Sequence, residues 1–410
     1  MTTSTAPPLP PPPSHPRLRR RHVVLAGLLI AIVAGAVLEF GARLYLRWNR
    51  GYDGKHLYQF AFDPYKNILP TPNYVDTRGI RHNSQGFRRS SDVSRAKPAG
   101  TYRIFLMGAS AGYGLGGLWP HIEDRYPVLR NEETIDAYLE LALRARFPER
   151  KFEVVNAAIT SSWTHHSLIY LNQSILRYQP DMVLFLDGFN DFYFYGADHD
   201  QFESYSYTLP SRTILGEPSL YSLAYANGWW LFRKSAIVHL LARGAGNLKL
   251  LLAGPPERTP IDVDSALAGH RRVFPANALR MHERSGVILR HEGVIPVFML
   301  QPMLILERAR KHPTEVERRL FEFNVNSYLP NYEGFITKAA EFVRAQEAEM
   351  AQRVGGLFID LTGIFREVED QVYTDYAHLT PTGNRVLAEV VAARIGPLIV
   401  GDTLTSLPRR

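Results

Sequence analysis

The sequence predicts an α/β protein in which a five-stranded, mostly parallel, doubly wound sheet lies between two layers of helices. Short apolar runs of strand length recur along the chain, and their β-branched residues, Leu, Met and Phe are typical of strands buried on both faces. Amphipathic helical patterns lie between these runs, and strands that alternate with helices build parallel sheets. Small or polar residues follow the first three runs, as expected at the carboxyl ends of such strands. The predicted strands lie at 104–107, 154–155, 182–186, 294–300 and 357–359, and the clearest helices at 134–146 and 335–354.

The amino-terminal segment predicts a tail followed by a membrane anchor. Residues 1–22 are rich in Pro and then basic, whereas residues 23–46 are apolar apart from Glu39 and Arg43, which lie four apart and are expected to pair on one helix face. Lys and Arg are balanced across the run, but the dense cluster before it favours a single-pass anchor with the main domain outside the cytoplasm. Residues 34–36 resemble a signal-peptidase site, so a cleaved signal peptide stays open as an alternative.

The remaining chain is predicted to form one large domain with flanking segments. Residues 47–101 show no long periodic element and are interpreted as an extended lead-in, residues 102–400 as the folded domain, and residues 401–410 as a tail. The stretch from about 192 to 275 interrupts the alternation of strands and helices, so it is predicted to be an insertion. Its aromatic and basic part at 229–234 is expected to pack on the domain, with a membrane surface as the alternative.

Composition excludes several classes of site and partner. The chain has no cysteine, which excludes disulfides, thiolate zinc sites and a cysteine nucleophile. The formal charge is +7, but much of the excess lies in the cluster before the apolar run, so nucleic-acid binding is not predicted. Residues 198–200 have metal-like side chains without a clear further ligand and are interpreted as a surface loop. No sequence tract indicates a flavin, nicotinamide or haem, so neither a cofactor nor a metal is predicted.

A serine flanked by glycines follows the first predicted strand. Small residues around Ser110 allow a sharp turn and the approach of backbone N–H groups to an oxyanion. Gly-rich turns also cradle phosphates, but this one lacks both the G-x-G-x-x-G spacing and the Walker lysine. The run from Gly108 to Gly112 satisfies G-x-S-x-G, the nucleophile elbow of α/β-hydrolases, yet no convincing strand precedes Tyr102, as that fold requires. Ser110 is therefore predicted to be a nucleophile on a different α/β fold.

The predicted base and its orienting acid lie close together near the carboxyl end. Thr380 is expected to cap a helix that begins at Pro381, which places His378 in a loop held by a rigid boundary. Asp375 lies three residues earlier and can orient the imidazole and stabilise its protonated form. Asp375 and His378 are therefore predicted to complete a triad with Ser110.

Other candidate site residues follow the middle strands. Asn190 can donate its side-chain N–H to an oxyanion, and Ala158 can offer a backbone N–H. Because the carboxyl ends of parallel strands share one crevice, these groups are expected to converge. Gln301 and Gly188 are weaker candidates for contact with substrate. His165 and His166 stay open between lining the crevice and a capping or surface role.

In chain order and context these residues resemble the SGNH (GDSL-like) hydrolase family, in its bacterial membrane-anchored form. Residues 108–110 are similar to the family's first block, residues 156–158 to its second, residues 188–191 to G-x-N-D and residues 375–378 to D-x-x-H; the lead-in at 83–88 is similar to the anchored members. The resemblance implies a flavodoxin-like sheet, Ser110 as nucleophile, His378 as base with Asp375 behind it, and an oxyanion hole formed by Ser110, Ala158 and Asn190. Ala109 replaces the usual Asp, and Ala158 replaces the usual Gly. The methyl that Ala158 adds is expected to narrow the acyl pocket.

The resemblance implies a membrane-anchored serine esterase. The expected reaction is hydrolysis of short acyl esters, acetyl among them, on an envelope glycan, a lipid or another small acylated molecule. The same residues can transfer an acyl group to a polysaccharide hydroxyl, and the sequence does not distinguish water from a sugar as the acceptor. A non-catalytic anchored binding or assembly protein is the third hypothesis, since a fold does not determine a function.

Overall fold

A long helix and a short hairpin precede the main sheet. Helix α1 (Arg20–Arg50) contains the predicted apolar segment, and Glu39 pairs with Arg43 at 2.8 Å, as predicted. Within the described part of the chain this is the helix that is long and apolar enough to cross a membrane, and most of its apolar side chains are exposed, with Leu46 buried. The lead-in contains an antiparallel hairpin of β1 (Phe60–Asp63) and β2 (Asn67–Pro70), strands too short for a sequence pattern to reveal. The structure, a computed structural model, describes residues 20–50, 59–63, 66–191, 234–241, 244, 260–307, 311–328 and 331–402.

Five parallel strands form the central sheet, and all five predicted strands are confirmed to within a few residues. They lie in the order β4-β3-β5-β6-β7, so the chain enters the sheet beside its middle and changes direction after β4. This is the strand order of doubly wound, flavodoxin-like sheets, in which ligands bind at the carboxyl ends of the strands near the point of reversal. The strands are β3 (Thr101–Gly108), β4 (Lys151–Asn156), β5 (Met182–Asp187), β6 (Ile295–Leu300) and β7 (Leu357–Asp360).

Strand β4 is longer than the apolar run that predicts it, because it lies at the edge of the sheet. Its first half alternates between exposed and buried side chains, and polar residues are tolerated there. Glu153, on β4, accepts a hydrogen bond at 2.6 Å from Nε of the buried Arg103 on β3. A run of apolar residues therefore identifies only the buried second half of the strand.

Helices cover the sheet in two layers, and the three predicted helices are confirmed. Helices α3 and α10 pack against each other in one layer, while α4, α6 and α9 form the other with α5 packed on α9. The helices of the domain are α2 (Ser110–Tyr113), α3 (Ile135–Arg146), α4 (Thr164–Gln173), α5 (Val263–Phe274), α6 (Arg280–His291), α7 (Leu304–Glu307), α8 (Glu315–Phe323), α9 (Tyr332–Arg353) and α10 (Pro381–Asp402).

The predicted insertion is described only in part. Helix α5 belongs to its carboxyl end and contributes Ala266, Leu267 and Phe274 to the main core. Residues 234–241 are also described, whereas the aromatic residues at 229–232 and the predicted loop at 198–200 lie outside the described residues. The described end of this stretch therefore packs on the domain, as expected for an insertion that rests on its host.

Candidate active site

Ser110 lies at the point where β3 ends and the short helix α2 begins. Gly108, two residues earlier, has a φ of +133°, which residues with a side chain rarely adopt. A Cβ at this position would also lie 2.2 Å from the carbonyl oxygen of Leu186 on β5. Glycine is thus required here both for its conformation and for the close approach of the two central strands. The resulting sharp turn leaves Ser110 partly exposed at the edge of the sheet.

Ser110, His378 and Asp375 form a continuous hydrogen-bonded chain. The Oγ of Ser110 lies 2.7 Å from Nε2 of His378, and Nδ1 of His378 lies 2.7 Å from Oδ2 of Asp375. An ionised carboxylate only accepts hydrogen bonds, so Nδ1 carries the proton that points to Asp375, and Nε2 of the neutral ring can accept the serine hydroxyl. Asp375 is fully buried and His378 almost so, with Ser110 at the open end.

Asp375 is held by the main chain as well as by His378. Its Oδ2 accepts a hydrogen bond from the N–H of Leu118 at 3.0 Å, and its Oδ1 accepts from the N–H groups of Ala377 and His378, both at 2.9 Å. Burial acts to raise the pKa of Asp375, but the His378 imidazole and the hydrogen bonds from this loop outweigh burial and hold the pKa below its ordinary value. An ionised Asp375 is able to stabilise an imidazolium at position 378.

The loop that carries Asp375 and His378 is closed on itself just before α10. An isolated bridge joins Tyr373 to Leu379, and the N–H of Thr374 donates to the carbonyl of His378 at 2.9 Å. Thr380 then caps α10, since its Oγ1 accepts a hydrogen bond from the N–H of Gly383 at 3.1 Å. The predicted cap and helix start are confirmed, and they hold His378 on a rigid boundary.

The predicted oxyanion donors stand at the ends of three neighbouring strands. Because β3 lies between β4 and β5, Ser110 lies between Ala158, which follows β4, and Asn190, which follows β5. The Nδ2 of Asn190 donates to the carbonyl of Ser162 at 2.6 Å, which orients the amide and uses one of its two N–H bonds. The N–H of Ala158 lies 3.2 Å from Oδ1 of Asn156, so an oxyanion would have to compete with that contact.

The methyl group of Ala158 packs against helix α2. A Cβ built on Gly112 of α2 would lie 3.1 Å from the Cβ of Ala158, which is tighter than an ordinary contact. Ala158 is also buried. The methyl that was expected to narrow the acyl pocket therefore faces α2, and glycine at position 112 makes room for it.

Gln301 and Gly188 lie beside the site and support its loops. The Nε2 of Gln301 donates to the carbonyl of Ala377 at 2.9 Å, and the side chain is buried, so this amide group steadies the loop of His378. A Cβ at Gly188 would lie 3.0 Å from the Cβ of Gln301 and 2.9 Å from Cε of Met303. Gly188 thus lets the ends of β5 and β6 approach closely. Both residues therefore make structural contacts, and their contact with substrate stays a prediction.

Arg88 is a residue of the site that the sequence analysis did not identify. It is buried, and its Nη1 donates to the carbonyls of Tyr113 at 2.7 Å and Gly114 at 2.6 Å, while Nη2 donates to the carbonyl of Leu129 at 2.5 Å. A guanidinium at the carboxyl end of α2 satisfies carbonyls that the helix leaves unpaired. The only signal in the sequence is the place of Arg88 in the block at 83–88.

Asn156 was predicted only as part of a block, and it links the nucleophile helix to α3. Its Nδ2 donates to the carbonyl of Gly112 at 3.0 Å and to Oδ1 of Asp136 at 2.7 Å. Burial raises the pKa of Asp136. The Nδ2 of Asn156 therefore binds a carbonyl of α2, while its Oδ1 accepts the N–H of Ala158.

No metal site emerges among the described residues, and His165 and His166 lie at the start of helix α4. Among the described residues there is no group of three or more His, Asp or Glu side chains placed to hold a metal ion. His166 accepts a hydrogen bond at its Nδ1 from the N–H of Trp163 at 3.3 Å, so it has the capping role at the start of α4. Burial lowers the pKa of both His165 and His166 to about 4, which leaves the two rings neutral at physiological pH.

Comparison with known proteins gives distant structural likenesses. No protein-family model and no curated protein matches the chain. An acetylxylan esterase from Geobacillus stearothermophilus is 14% identical with a TM-score of 0.38, covering 72% of this chain and 94% of its own. An alpha/beta hydrolase from the metagenome of Lake Arreo is 15% identical with a TM-score of 0.35, and a lipase/acylhydrolase from Enterococcus faecalis is 13% identical with a TM-score of 0.34. Each of these two likenesses covers 72% of this chain and 96% of the other protein. Likenesses this distant identify neither a family nor an activity for the chain.

Proposed function

We propose that this chain is an SGNH-type serine esterase that hydrolyses short acyl esters through an acyl-enzyme at Ser110. The observation that carries the proposal is the hydrogen-bonded chain from Asp375 through His378 to Ser110, with 2.7 Å at each step. A nucleophile, a base and an orienting acid within hydrogen-bond reach of one another are the requirement for covalent acyl transfer.

In the proposed reaction, the Oγ of Ser110 attacks the ester carbonyl and Nε2 of His378 takes its proton. The imidazolium that forms is stabilised by Asp375, and it returns the proton to the leaving alcohol. Water then attacks the acyl group with His378 again as base, which releases the carboxylic acid and free Ser110. The negative charge on the carbonyl oxygen is held by the backbone N–H groups of Ser110 and Ala158 and by the free N–H of Asn190.

A short acyl group suits the aromatic side chains beside His378. The ring of Tyr376 lies 6.2 Å from that of His378, and it packs against Phe189 at 4.2 Å and Trp119 at 5.3 Å between centroids. These rings are almost fully buried and close one side of the imidazole with bulky groups. An acetyl-sized group needs little room next to such a wall, so we propose acetyl or a similarly short acyl group.

The membrane helix supports a substrate in the cell envelope. The segment at residues 21–49 is long and apolar enough to cross a bilayer, and α1 exposes most of its apolar side chains. We propose that α1 is a single-pass anchor, that the domain lies outside the cytoplasm, and that the ester belongs to an envelope glycan or lipid.

The test is turnover of p-nitrophenyl acetate, and of an O-acetylated polysaccharide, by the detergent-solubilised full chain. Ser110→Ala is expected to lower kcat by roughly 10³-fold or more while the protein keeps its fold by circular dichroism. The products distinguish the reactions, since free acetate indicates hydrolysis and a newly acetylated acceptor indicates transfer. Equal turnover by the wild type and Ser110→Ala would exclude the proposed mechanism.

A further inference from the structure

Four titratable side chains form a buried cluster beside the segment that carries Asn190. We call it the carboxylate cluster: Asp187 at the end of β5, Asp191 four residues later, His282 on α6 and Glu347 on α9. Nε2 of His282 lies 3.0 Å from Oδ2 of Asp187, and its Nδ1 lies 2.8 Å from Oε1 of Glu347. All four residues are more than nine-tenths buried. None of them takes part in the proposed acyl transfer.

The cluster lines a cavity of about 20 Å³, which has room for about one water molecule. All four side chains line it, and the rest of the wall is mainly apolar. Oδ1 of Asp187, Oδ2 of Asp191 and Oε2 of Glu347 are buried and receive no hydrogen bond from any protein group among the described residues. Three carboxyl oxygens therefore share a small apolar enclosure without a protein donor for any of them.

The charges in the cluster do not balance if every carboxyl group is ionised. His282 contacts a carboxylate oxygen with each ring nitrogen, so both nitrogens donate and the ring is an imidazolium. That single positive charge faces Asp187 and Glu347, and an ionised Asp191 would bring the net charge to −2 in a buried site. Like charges at such short range are avoided when one carboxyl group keeps its proton. A protonated Asp191 also supplies the missing donor, either directly to a cluster oxygen or through one water molecule.

Asp191 is joined to the part of the chain that orients Asn190. Its Oδ1 accepts hydrogen bonds from Oγ1 of Thr164 at 3.1 Å and from the Thr164 N–H at 3.4 Å. Two residues before Thr164, the carbonyl of Ser162 accepts the amide of Asn190 at 2.6 Å. Oγ of Ser162 in turn donates to the carbonyl of Gly108, next to the nucleophile turn, at 3.1 Å. Asn190 and Asp191 are thus both hydrogen-bonded to the short segment at 162–164, where α4 begins.

We propose that a proton held by Asp191 in the carboxylate cluster positions Asn190 as an oxyanion donor, and that its loss at alkaline pH weakens catalysis. This inference rests on the proposed esterase function for its kinetic consequence, but the proton itself does not. Asp187 directly precedes the G-x-N-D segment at 188–191, and Asp191 ends it. When Asp191 ionises, repulsion between the two carboxylates drives them apart. That movement shifts the segment between them, which includes Asn190. Asp191 is a positioning residue because it touches neither Ser110 nor the ester.

The electrostatic environment agrees with the geometry. Burial, with the nearby charge of Asp187 added to it, raises the pKa of Asp191 to about 8 against the opposing effect of His282. For His282, burial alone lowers the pKa, but Glu347 and Asp187 outweigh it and raise the pKa well above its usual value. The histidines of the adjacent helix α4, His165 and His166, have pKa values of about 4 and stay neutral over the alkaline range.

The dependence of folding stability on pH tests whether Asp191 holds a proton, and this measurement does not require turnover. Between about pH 4, where an unfolded Asp titrates, and about pH 8, the folded protein holds a proton on Asp191 that the unfolded chain has released. The contribution of Asp191 to wild-type stability therefore falls as pH rises through this window. Asp191→Asn carries no such proton, so its urea midpoint is expected to rise relative to that of the wild type from pH 5 to pH 8 and to level off above. A difference that is independent of pH would overturn the proposal.

The pH profile of kcat tests the link to Asn190. The triad predicts no alkaline loss, because His378 acts as a base in its neutral form. The wild type is expected to lose kcat by 10-fold or more as pH rises from 7 to 9.5, with little change in KM, since an oxyanion contact is made in the transition state. Asp191→Asn, which mimics the protonated form, is expected to lose less than 2-fold.

The matched control is Asp181→Asn, which removes a buried carboxylate paired with Lys97 at the opposite, amino end of β5. This variant is expected to keep the wild-type alkaline loss. If Asp191→Asn shows the same alkaline loss as the wild type, the link to Asn190 is wrong. If the wild type shows no Ser110-dependent turnover at any pH, the proposed esterase function fails instead, and the stability measurement still decides whether Asp191 holds the proton.

Discussion

At the scale of single residues, the carboxylate of Asp375 accepts hydrogen bonds from the N–H groups of Ala377 and His378 in its own loop. It also accepts one from the N–H of Leu118, which lies 257 residues away in sequence. The four contacts leave the side chain one orientation, and the His378 ring follows it through Nδ1. Since a triad needs its imidazole in one tautomer and one direction, the rigidity of Asp375 decides how well His378 faces Ser110.

The first prediction concerns Asp375→Asn. The amide presents an N–H where the carboxylate accepts, so it favours the wrong imidazole tautomer, and kcat is expected to fall by roughly 10⁴-fold. The measurement is ester turnover by protein whose fold is verified by circular dichroism. A loss of less than about 10-fold would mean that Asp375 does not orient the base.

The same residue predicts a dependence of stability on acid pH. The pKa of Asp375 is lowered in the folded protein, so its contribution is present above the unfolded value of about 3.9 and is lost as pH falls through the lower folded value. The wild type is expected to lose its advantage in unfolding free energy over Asp375→Asn when the buffer is taken from pH 6 to pH 3. An advantage that stays constant over this range would contradict an ionised Asp375.

How much of the site the sequence predicts depends on whether its parts are local. Asp375, His378 and the capped start of α10 lie within a few residues of one another, so their relation is visible in the sequence. The bond from Leu118 to Asp375 and the turn of the Ala158 methyl towards Gly112 join distant segments through packing. No residue pattern encodes such contacts, and they appear only once the chain is folded.

At the scale of the elements, the lead-in and helix α2 depend on each other. Helix α2 has four residues, too few for stability on its own hydrogen bonds. Arg88 from the lead-in supplies donors for the carbonyls of Tyr113 and Gly114, and its guanidinium lies 4.6 Å from the centre of the Tyr113 ring. The Tyr113 hydroxyl also contacts His82 at 2.7 Å and Gln59 at 2.7 Å. The lead-in is therefore a support for the active site, which its irregular sequence pattern could not reveal.

The second prediction follows from this support. Arg88→Ala leaves several buried carbonyls without a donor, so the free energy of unfolding in urea is expected to fall by about 3 kcal/mol or more, with a parallel loss of ester turnover. The exposed Arg353, which pairs with Glu349 on the surface of α9, provides the control. Arg353→Ala is expected to change stability by less than about 1 kcal/mol. Equal effects of the two substitutions would show that Arg88 does not hold α2.

The sheet is the part of the fold that the sequence predicts best. Its central strands are buried, and strands buried on both faces are mostly apolar, so most of β3, β5 and β6 is visible as continuous apolar runs. The hairpin of β1 and β2 and the first half of β4 escape the pattern, because short or edge strands tolerate polar residues. The strand order requires the folded structure, since it depends on which faces the connecting helices cover.

At the scale of the whole molecule, the long apolar helix α1 contacts the predicted insertion. Glu39 of α1 accepts hydrogen bonds from the backbone N–H groups of Ala236 at 2.8 Å and Ile237 at 3.2 Å. Leu46 and Ala236 are both buried in the contact that this makes. The carboxylate of Glu39 thus caps the helical segment at 236–241, whose backbone N–H groups become partners for its charge.

The third prediction uses the absence of cysteine from the chain. With Leu46→Cys and Ala236→Cys together, a short bismaleimide is expected to join the two thiols rapidly in native membranes, because the two side chains share one buried contact. The control pairs Leu46→Cys with Leu241→Cys, whose position is 68% exposed. Equal rates for the two pairs would show that the segment at 236–241 does not dock on α1.

The most direct test of the central claim is whether Ser110 becomes covalently modified. The full chain is treated with a fluorophosphonate, and the adduct is located by intact mass and peptide mass spectrometry. One adduct on Ser110 is expected in the wild type, none in Ser110→Ala, and slower formation in Asp375→Asn because the base is misoriented. A folded wild type that forms no adduct, or an adduct that persists in Ser110→Ala, would contradict Ser110 as the nucleophile of this protein.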